Sequence, residues 1–140
     1  MPVNFIFSET KATLGERTRL KSFIVSLFRK NKRQLSSLTY IFCTDAYLLE
    51  INKRFLQHDY YTDIITFNLA DPASKIIGEV YISVDRVREN AKNHSASLKE
   101  ELHRVIFHGA LHLCGYKDKS AKDKIAMTAA EDNSLRRYFS

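Results

Sequence analysis

Residues 108–118 read HGALHLCGYKD, and the rest of the chain can be organised around them. His108 and His112 are four residues apart. On a helix of 3.6 residues per turn they lie on one face, one turn from each other. Two imidazoles so placed can grip one divalent ion. Gly115 follows where a helix ending needs a left-handed residue. The chain can then swing back and offer a third ligand, for which Asp118 is the candidate. The structural alternative is two histidines at the edge of a core, satisfied by backbone carbonyls.

Upstream, Ser97 and Glu100 form a capping-box pattern that opens the helix carrying these histidines. Leu98, Leu102, Val105, Ile106, Gly109 and Leu113 form its apolar face, with His108 and His112 on one edge. His103 falls on the opposite edge and is expected at the surface. Gly109 costs about 1 kcal/mol against alanine inside a helix, so it is expected to mark close approach by another backbone. Downstream, a last helix is expected over 121–138.

The first half alternates strand and helix. Residues 2–7 alternate apolar and polar side chains as a strand does. Thr13 and Glu16 suggest a capping box for a helix with the stripe Leu20, Phe23, Ile24, Leu27 and Phe28. A second strand is expected near 38–43. Thr44 is expected to cap a helix over 45–57 that buries Leu48, Ile51 and Phe55. Strands near 63–69 and 76–83, joined by DPASK, are expected to pair antiparallel, and 85–93 reads as a helix. The expectation is an α+β fold, one domain over residues 1–140. A small four-stranded mixed sheet would pack with about five helices, the metal-bearing one near the C-terminus.

Composition narrows the function. The hydrophobic fraction of 44% and charged fraction of 27% are ordinary for a globular protein. No apolar run approaches a membrane span, and the start does not resemble a signal peptide. Cys43 and Cys114 read as reduced core thiols, which suits a cytoplasmic protein. The net charge of +6 is uneven: +6 over 1–33, −4 over 34–85 and +4 over 86–140. Basic ends suit a polyanion such as RNA, although the same cations could simply cover solvent-facing helices. A zinc peptidase of the H-E-x-x-H type needs a glutamate after its first histidine, and here that place is Gly109. Phosphoryl transfer, which relies on positioning and charge, carries no such requirement.

HGALHLCGYKD resembles the H-G-x-L-H-L-x-G-Y-D-H signature of the YbeY family of rRNA maturation factors. Residues 52–67, NKRFLQHDYYTDIITF, are similar to that family's N-x-x-x-R-x-K-D-x-P-T-D-V-L-S-F block, and 78–83, GEVYIS, to its G-D-I-x-I-S strand. The resemblance implies a single-strand-specific, metal-dependent endoribonuclease, with Zn2+ the usual ion. It would act in 16S rRNA 3′-end maturation and ribosome quality control, with rRNA and the small ribosomal subunit as partners and no membrane or organic cofactor. It makes His108 and His112 the first two ligands and sets Asp118 where the family has a third histidine. Leu56 falls where the family has an arginine thought to hold phosphate, with Arg54 two residues earlier. His58 falls on a family lysine. His58, Arg54, Lys119 and Lys122 are candidate RNA contacts, and Tyr60 and Tyr61 could stack on bases or be half-buried turn residues. Asp63 and Thr66 belong to the strand block that faces the metal helix. A non-catalytic assembly factor with a structural metal is the competing reading.

Overall fold

The computed structural model describes residues 2–57 and 62–140. In chain order the elements are β1 (Val3–Phe7), α1 (Arg17–Lys30), β2 (Leu35–Cys43), α2 (Asp45–Leu56), β3 (Ile64–Asn68), β4 (Ile76–Ser83), α3 (Val84–Asn93), α4 (Leu98–Leu113) and α5 (Ala121–Tyr138). The strands form one mixed sheet in the order β1-β2-β4-β3. β1 and β4 run parallel to β2, whereas β3 is antiparallel to β4, with Ile64 opposite Ile82 and Asn68 opposite Gly78. This is the expected α+β class, four-stranded sheet and five helices, and β3 and β4 pair as their short connection requires.

Strand alternation divides the packing. Val80 and Ile82 of β4, with Leu38, Tyr40 and Phe42 of β2, face the main core beneath α1 and α4. On the other side Cys43, Leu48, Ile51 and Ile65 form a smaller cluster under α2. Fully burying each large apolar side chain of this kind contributes about 1.5–3 kcal/mol. The Tyr40 hydroxyl, buried under α4, donates to the Ile106 carbonyl at 2.8 Å and ties β2 to that helix. Burial pushes its phenol well above the usual range.

α4 is the central helix, touching β3, β4, α1, α3 and α5. Ser97 caps it by accepting from the Glu100 backbone N–H at 3.0 Å. Thr44 caps α2 in the same way through Tyr47 N–H at 3.2 Å. Ser120 and Asp123 close a reciprocal capping box on α5.

Four local expectations are corrected. α1 does not begin at a Thr13–Glu16 box: Glu16 sits in the left-handed region at φ 50°, outside the helix, and the first helical residue is Arg17. Phe55 is 60% exposed, meeting the Phe67 ring of the edge strand β3 edge-on instead of entering the core. His103 is buried, because Tyr138 and Phe139 at the end of α5 cover the face of α4 that a single-sided helix would leave to water. Gly109 does mark a close approach, but to side chains. A Cβ there would lie 2.9 Å from Val80 Cγ1 and 3.1 Å from Ile64 Cδ1. No helix among the described residues is long and apolar enough to cross a membrane.

Candidate metal centre

The end of α4 is shaped by backbone hydrogen bonds. Tyr116 N–H donates to the Leu111 carbonyl at 3.1 Å and Gly115 N–H to the His112 carbonyl at 3.0 Å. These are the paired bonds of a Schellman ending, which requires a positive φ just past the helix. Gly115 supplies it at φ 110°. The chain therefore reverses within three residues, and Asp118 returns to the face from which His108 projects.

Asp118 Oδ2 lies 3.5 Å from His108 Nε2. The other ring nitrogen is committed elsewhere: His108 Nδ1 is 2.6 Å from Glu131 Oε2 on α5. A carboxylate can only accept there, so Nδ1 carries the proton and, in the neutral ring, Nε2 presents its lone pair toward Asp118. Burial alone would lower the His108 pKa, but the bond and charge of Glu131, joined by Asp63 and Asp118, raise it overall. Glu131 is itself held by Arg104, whose two terminal nitrogens reach Glu131 Oε1 at 3.0 Å and Asp132 Oδ1 at 2.7 Å. Asp63 immediately precedes β3 and accepts from Asn90 Nδ2 at 3.3 Å. Burial raises its carboxyl pKa, with partial relief from His108.

Two clefts open on either side of this cluster. One, about 390 Å³, is lined by His108, His112, Asp118, Lys119, Thr66 and Leu56 among others. The second, about 350 Å³, reaches from His108 and Asp118 to Asp63, Arg104 and Glu131. The three candidate ligands thus share one cleft, although His112 is exposed at its rim. Among the described residues no three His, Cys, Asp or Glu side chains are gathered tightly enough to enclose an ion. The donor types fit zinc, which takes imidazole nitrogen and carboxylate oxygen. The Glu131–His108 pairing also fits: it is the outer bond that commonly fixes the tautomer of a metal-bound imidazole.

The candidate RNA contacts separate. Lys119 lines the cleft. Lys122 is exposed in the first turn of α5 and is not part of the cleft wall. α2 continues to Leu56, so Arg54 is still helical, two residues and about 200° from the cleft-lining Leu56. It does not take the place of the arginine that the resemblance leads one to expect. His58, Tyr60 and Tyr61 lie outside the described residues. Cys114 belongs to the core, its thiol pushed up to about 12 mainly by burial.

Sequence reasoning missed Glu131 and Arg104. The signal was present in α5: Met127, Glu131, Ser134, Leu135 and Tyr138 are all buried at helical spacing. A glutamate on such a stripe needs a partner, because an isolated buried carboxylate is costly. The partner could not be named without the packing of α5 on α4.

A family model described as Endoribonuclease YbeY matches residues 6–139. A protein named Endoribonuclease YbeY from Cytophaga hutchinsonii is 48% identical over 132 residues, covering 94% of this chain and 92% of its own. Another of that name from Flavobacterium psychrophilum is 43% identical over 125 residues, 89% of each chain. The solution structure of TM1509 from Thermotoga maritima matches with a TM-score of 0.63. It covers 98% of this chain and 89% of that one at 24% identity, which is a likeness of fold.

Proposed function

The chain belongs to the YbeY endoribonuclease family, and from that premise we propose that it is itself a metal-dependent endoribonuclease of single-stranded RNA. Its substrate would be rRNA on or near the small ribosomal subunit, in 16S 3′-end maturation and ribosome quality control in the cytoplasm. One observation carries the reading: His108 offers Nε2 toward Asp118 while Glu131 holds its other nitrogen at 2.6 Å.

His108, His112 and Asp118 would hold the metal, with Zn2+ the expected ion. When bound, it would supply an acidified water and a positive charge against a phosphoryl oxygen. The remaining work falls to the chain. Glu131 fixes the His108 ring and Arg104 fixes Glu131. Lys119 places a cation in the cleft for a phosphate, a role that Leu56 cannot fill. Thr66 and Leu56 shape the opposite wall. A single strand suits such a cleft because its backbone can bend to bring one phosphate to the ligands.

The test uses purified protein of measured metal content, incubated with single-stranded and duplex rRNA fragments. His108→Ala, His112→Ala and Asp118→Ala are each expected to lower both metal content and cleavage, and Lys119→Ala to lower cleavage and RNA affinity with metal retained. Cleavage surviving both histidine substitutions would refute the assignment. The reading as a non-catalytic assembly factor draws on Leu56 at the arginine position. It would prevail if fully metal-loaded wild-type protein bound RNA without cutting it.

A further inference from the structure

Beside the cleft lined by His112, Thr66 and Lys119 lies a second, smaller bay of about 230 Å³. Leu113, the residue after His112, and Asn68, two residues past Thr66, help to line it. Thr66 and Asn68 share one face of β3, about 6.8 Å apart. The two hollows therefore follow one another between the end of α4 and β3. Lys32, Arg33 and Gln34, which join α1 to β2, form the far wall, and Ser74 of the β3–β4 hairpin closes it.

The bay is lined by donors and by no carboxylate. Asn68 Oδ1 accepts two backbone N–H groups, from Ala70 at 3.1 Å and from Ile77 at 3.3 Å. That fixes the amide, so Nδ2 holds two donors with no partner among the described residues. The Lys32 ammonium and the Arg33 guanidinium are exposed and make no hydrogen bond or ion pair among the described residues. Arg33 is nevertheless placed: a Cβ on Gly115 would lie 2.8 Å from its Nη2, so the guanidinium sits against the turn that follows His112. The last carbonyls of a helix carry partial negative charge, which opposes an anion, and Arg33 offsets it there. Asp71, the acid of the hairpin, is exposed and is not part of the wall.

We propose that this bay is a second phosphate subsite for single-stranded RNA, holding the backbone close to the phosphate that lies at the candidate metal ligands. The inference rests on the ribonuclease reading of the first cleft. Cationic side chains with amide and hydroxyl donors hold phosphate oxygens and leave the base edges unread. The subsite is therefore indifferent to sequence and sensitive to length, since a strand too short to leave the first cleft gains nothing from it. It also brings cations from the end of α1 to a groove in which Leu56 supplies none.

The experiment measures binding of uncleavable 2′-O-methyl oligoribonucleotides of graded length, from a dinucleotide upward, to the full chain at equal metal loading. Fluorescence anisotropy is read across a salt series. In Lys32→Ala/Arg33→Ala the longer strands are expected to bind about tenfold more weakly, with the slope of log affinity against log salt reduced by about 1.4, as for two contacts on a single strand. The dinucleotide is expected to bind variant and wild type alike. Asn68→Asp keeps the acceptor for Ala70 and Ile77 but removes both donors, and should weaken the longer strands with little change in urea unfolding. Lys11→Ala/Arg88→Ala removes the same charge beside the start of α4 and is the control. An equal loss in the control pair, a loss of the same size at every length, or unchanged affinity in both bay variants would overturn the proposal. So would polyglutamate binding as tightly as the long strand, which would mark the bay as a seat for acidic protein. Cleavage by the wild type is assayed separately. Wild-type protein that holds long strands through the bay yet cuts none would refute the ribonuclease reading and leave the subsite standing, whereas cleavage with no dependence of binding on the bay would do the reverse.

Discussion

Replacing Glu131 tests whether the orientation of His108 matters. Glu131→Gln keeps the shape and an acceptor oxygen, but it turns a charge-assisted bond into a neutral one. A hydrogen bond to a charged group contributes about 1.5–3 kcal/mol and a neutral one about 1. The side chain of Glu131 is 11% exposed, so the loss of about 1 kcal/mol is weakly screened. On the site the effect should be larger. Removing the outer partner of a metal-bound imidazole typically costs 10–100-fold in metal affinity or activity. The Gln variant is expected near the low end, because its amide can still accept from Nδ1, and Glu131→Ala near the high end. The Ala variant also strips Arg104 of one of its two carboxylates and leaves Nδ1 unpaired. It should unfold about 1–3 kcal/mol more easily, roughly 3–9 °C in Tm for a domain of this size. Asp132→Asn is the control, since Asp132 binds the other side of the Arg104 fork and its side chain is 48% exposed. Single-turnover cleavage of single-stranded RNA across a zinc titration separates affinity from rate. Wild-type zinc affinity and cleavage in Glu131→Gln and Glu131→Ala, or a loss in Asp132→Asn as large as theirs, would refute the reasoning.

Three further substitutions probe the support of the site. Gly109→Ala improves helix propensity by about 1 kcal/mol, but its Cβ meets the stiff Val80 side chain at 2.9 Å, and overpacking costs about 1–3 kcal/mol. A net loss near 1 kcal/mol is expected in urea unfolding, roughly the difference of those two effects, and a gain would refute the close packing. Gly115→Ala places a side chain at φ 110° and 2.8 Å from the Arg33 guanidinium. About 1–2 kcal/mol of backbone strain should lower stability and, by displacing Asp118, metal retention, whereas unchanged metal content would remove Asp118 from the ligand set. His103 is held neutral chiefly by burial, which lowers its pKa below 6.5. The unfolded chain therefore binds more protons than the folded one below about pH 6.5, so this contribution is complete above that pH and lost as pH falls. Denaturation between about pH 5 and 8 should show a shallower acid loss in His103→Gln than in the wild type, and parallel curves would contradict the burial.

What was legible in the sequence was local, and what was not depended on distant packing. The α5 boundaries, the Thr44 and Ser97 caps and the Gly115 turn follow from residues within one or two turns of each other. The pairing of β3 with β4 follows from a connection too short for anything but a reversal. The parallel placement of β4 beside β2 needs chain segments some forty residues apart, and nothing in either strand announces it. The α1 start failed because Thr13-x-x-Glu16 matches a capping box in spelling while Glu16 adopts a left-handed backbone. His103 failed for a different reason. A helix with one buried face would leave it to water, but α4 is covered on several sides, and Tyr138, which covers His103, lies 35 residues further on.

The burial of α4 also explains where the chemistry has to be. From Glu101 to Leu111 the helix is buried at nearly every position, with Arg104 and His108 partly open. The helix is exposed at both ends, at Lys99 and Glu100 in its first turn and at His112 in its last. Of the two ends only the last carries candidate ligands, and the Gly115 reversal brings Asp118 to that opening. His108 is the hinge of the arrangement, with Nδ1 in the packed interior against Glu131 and Nε2 at the cleft. Its loss should therefore lower both stability and activity, whereas His112 and Asp118, being more exposed, should affect activity and metal content with little change in unfolding. Equal destabilisation by all three alanine substitutions in metal-free protein would contradict this division of the site.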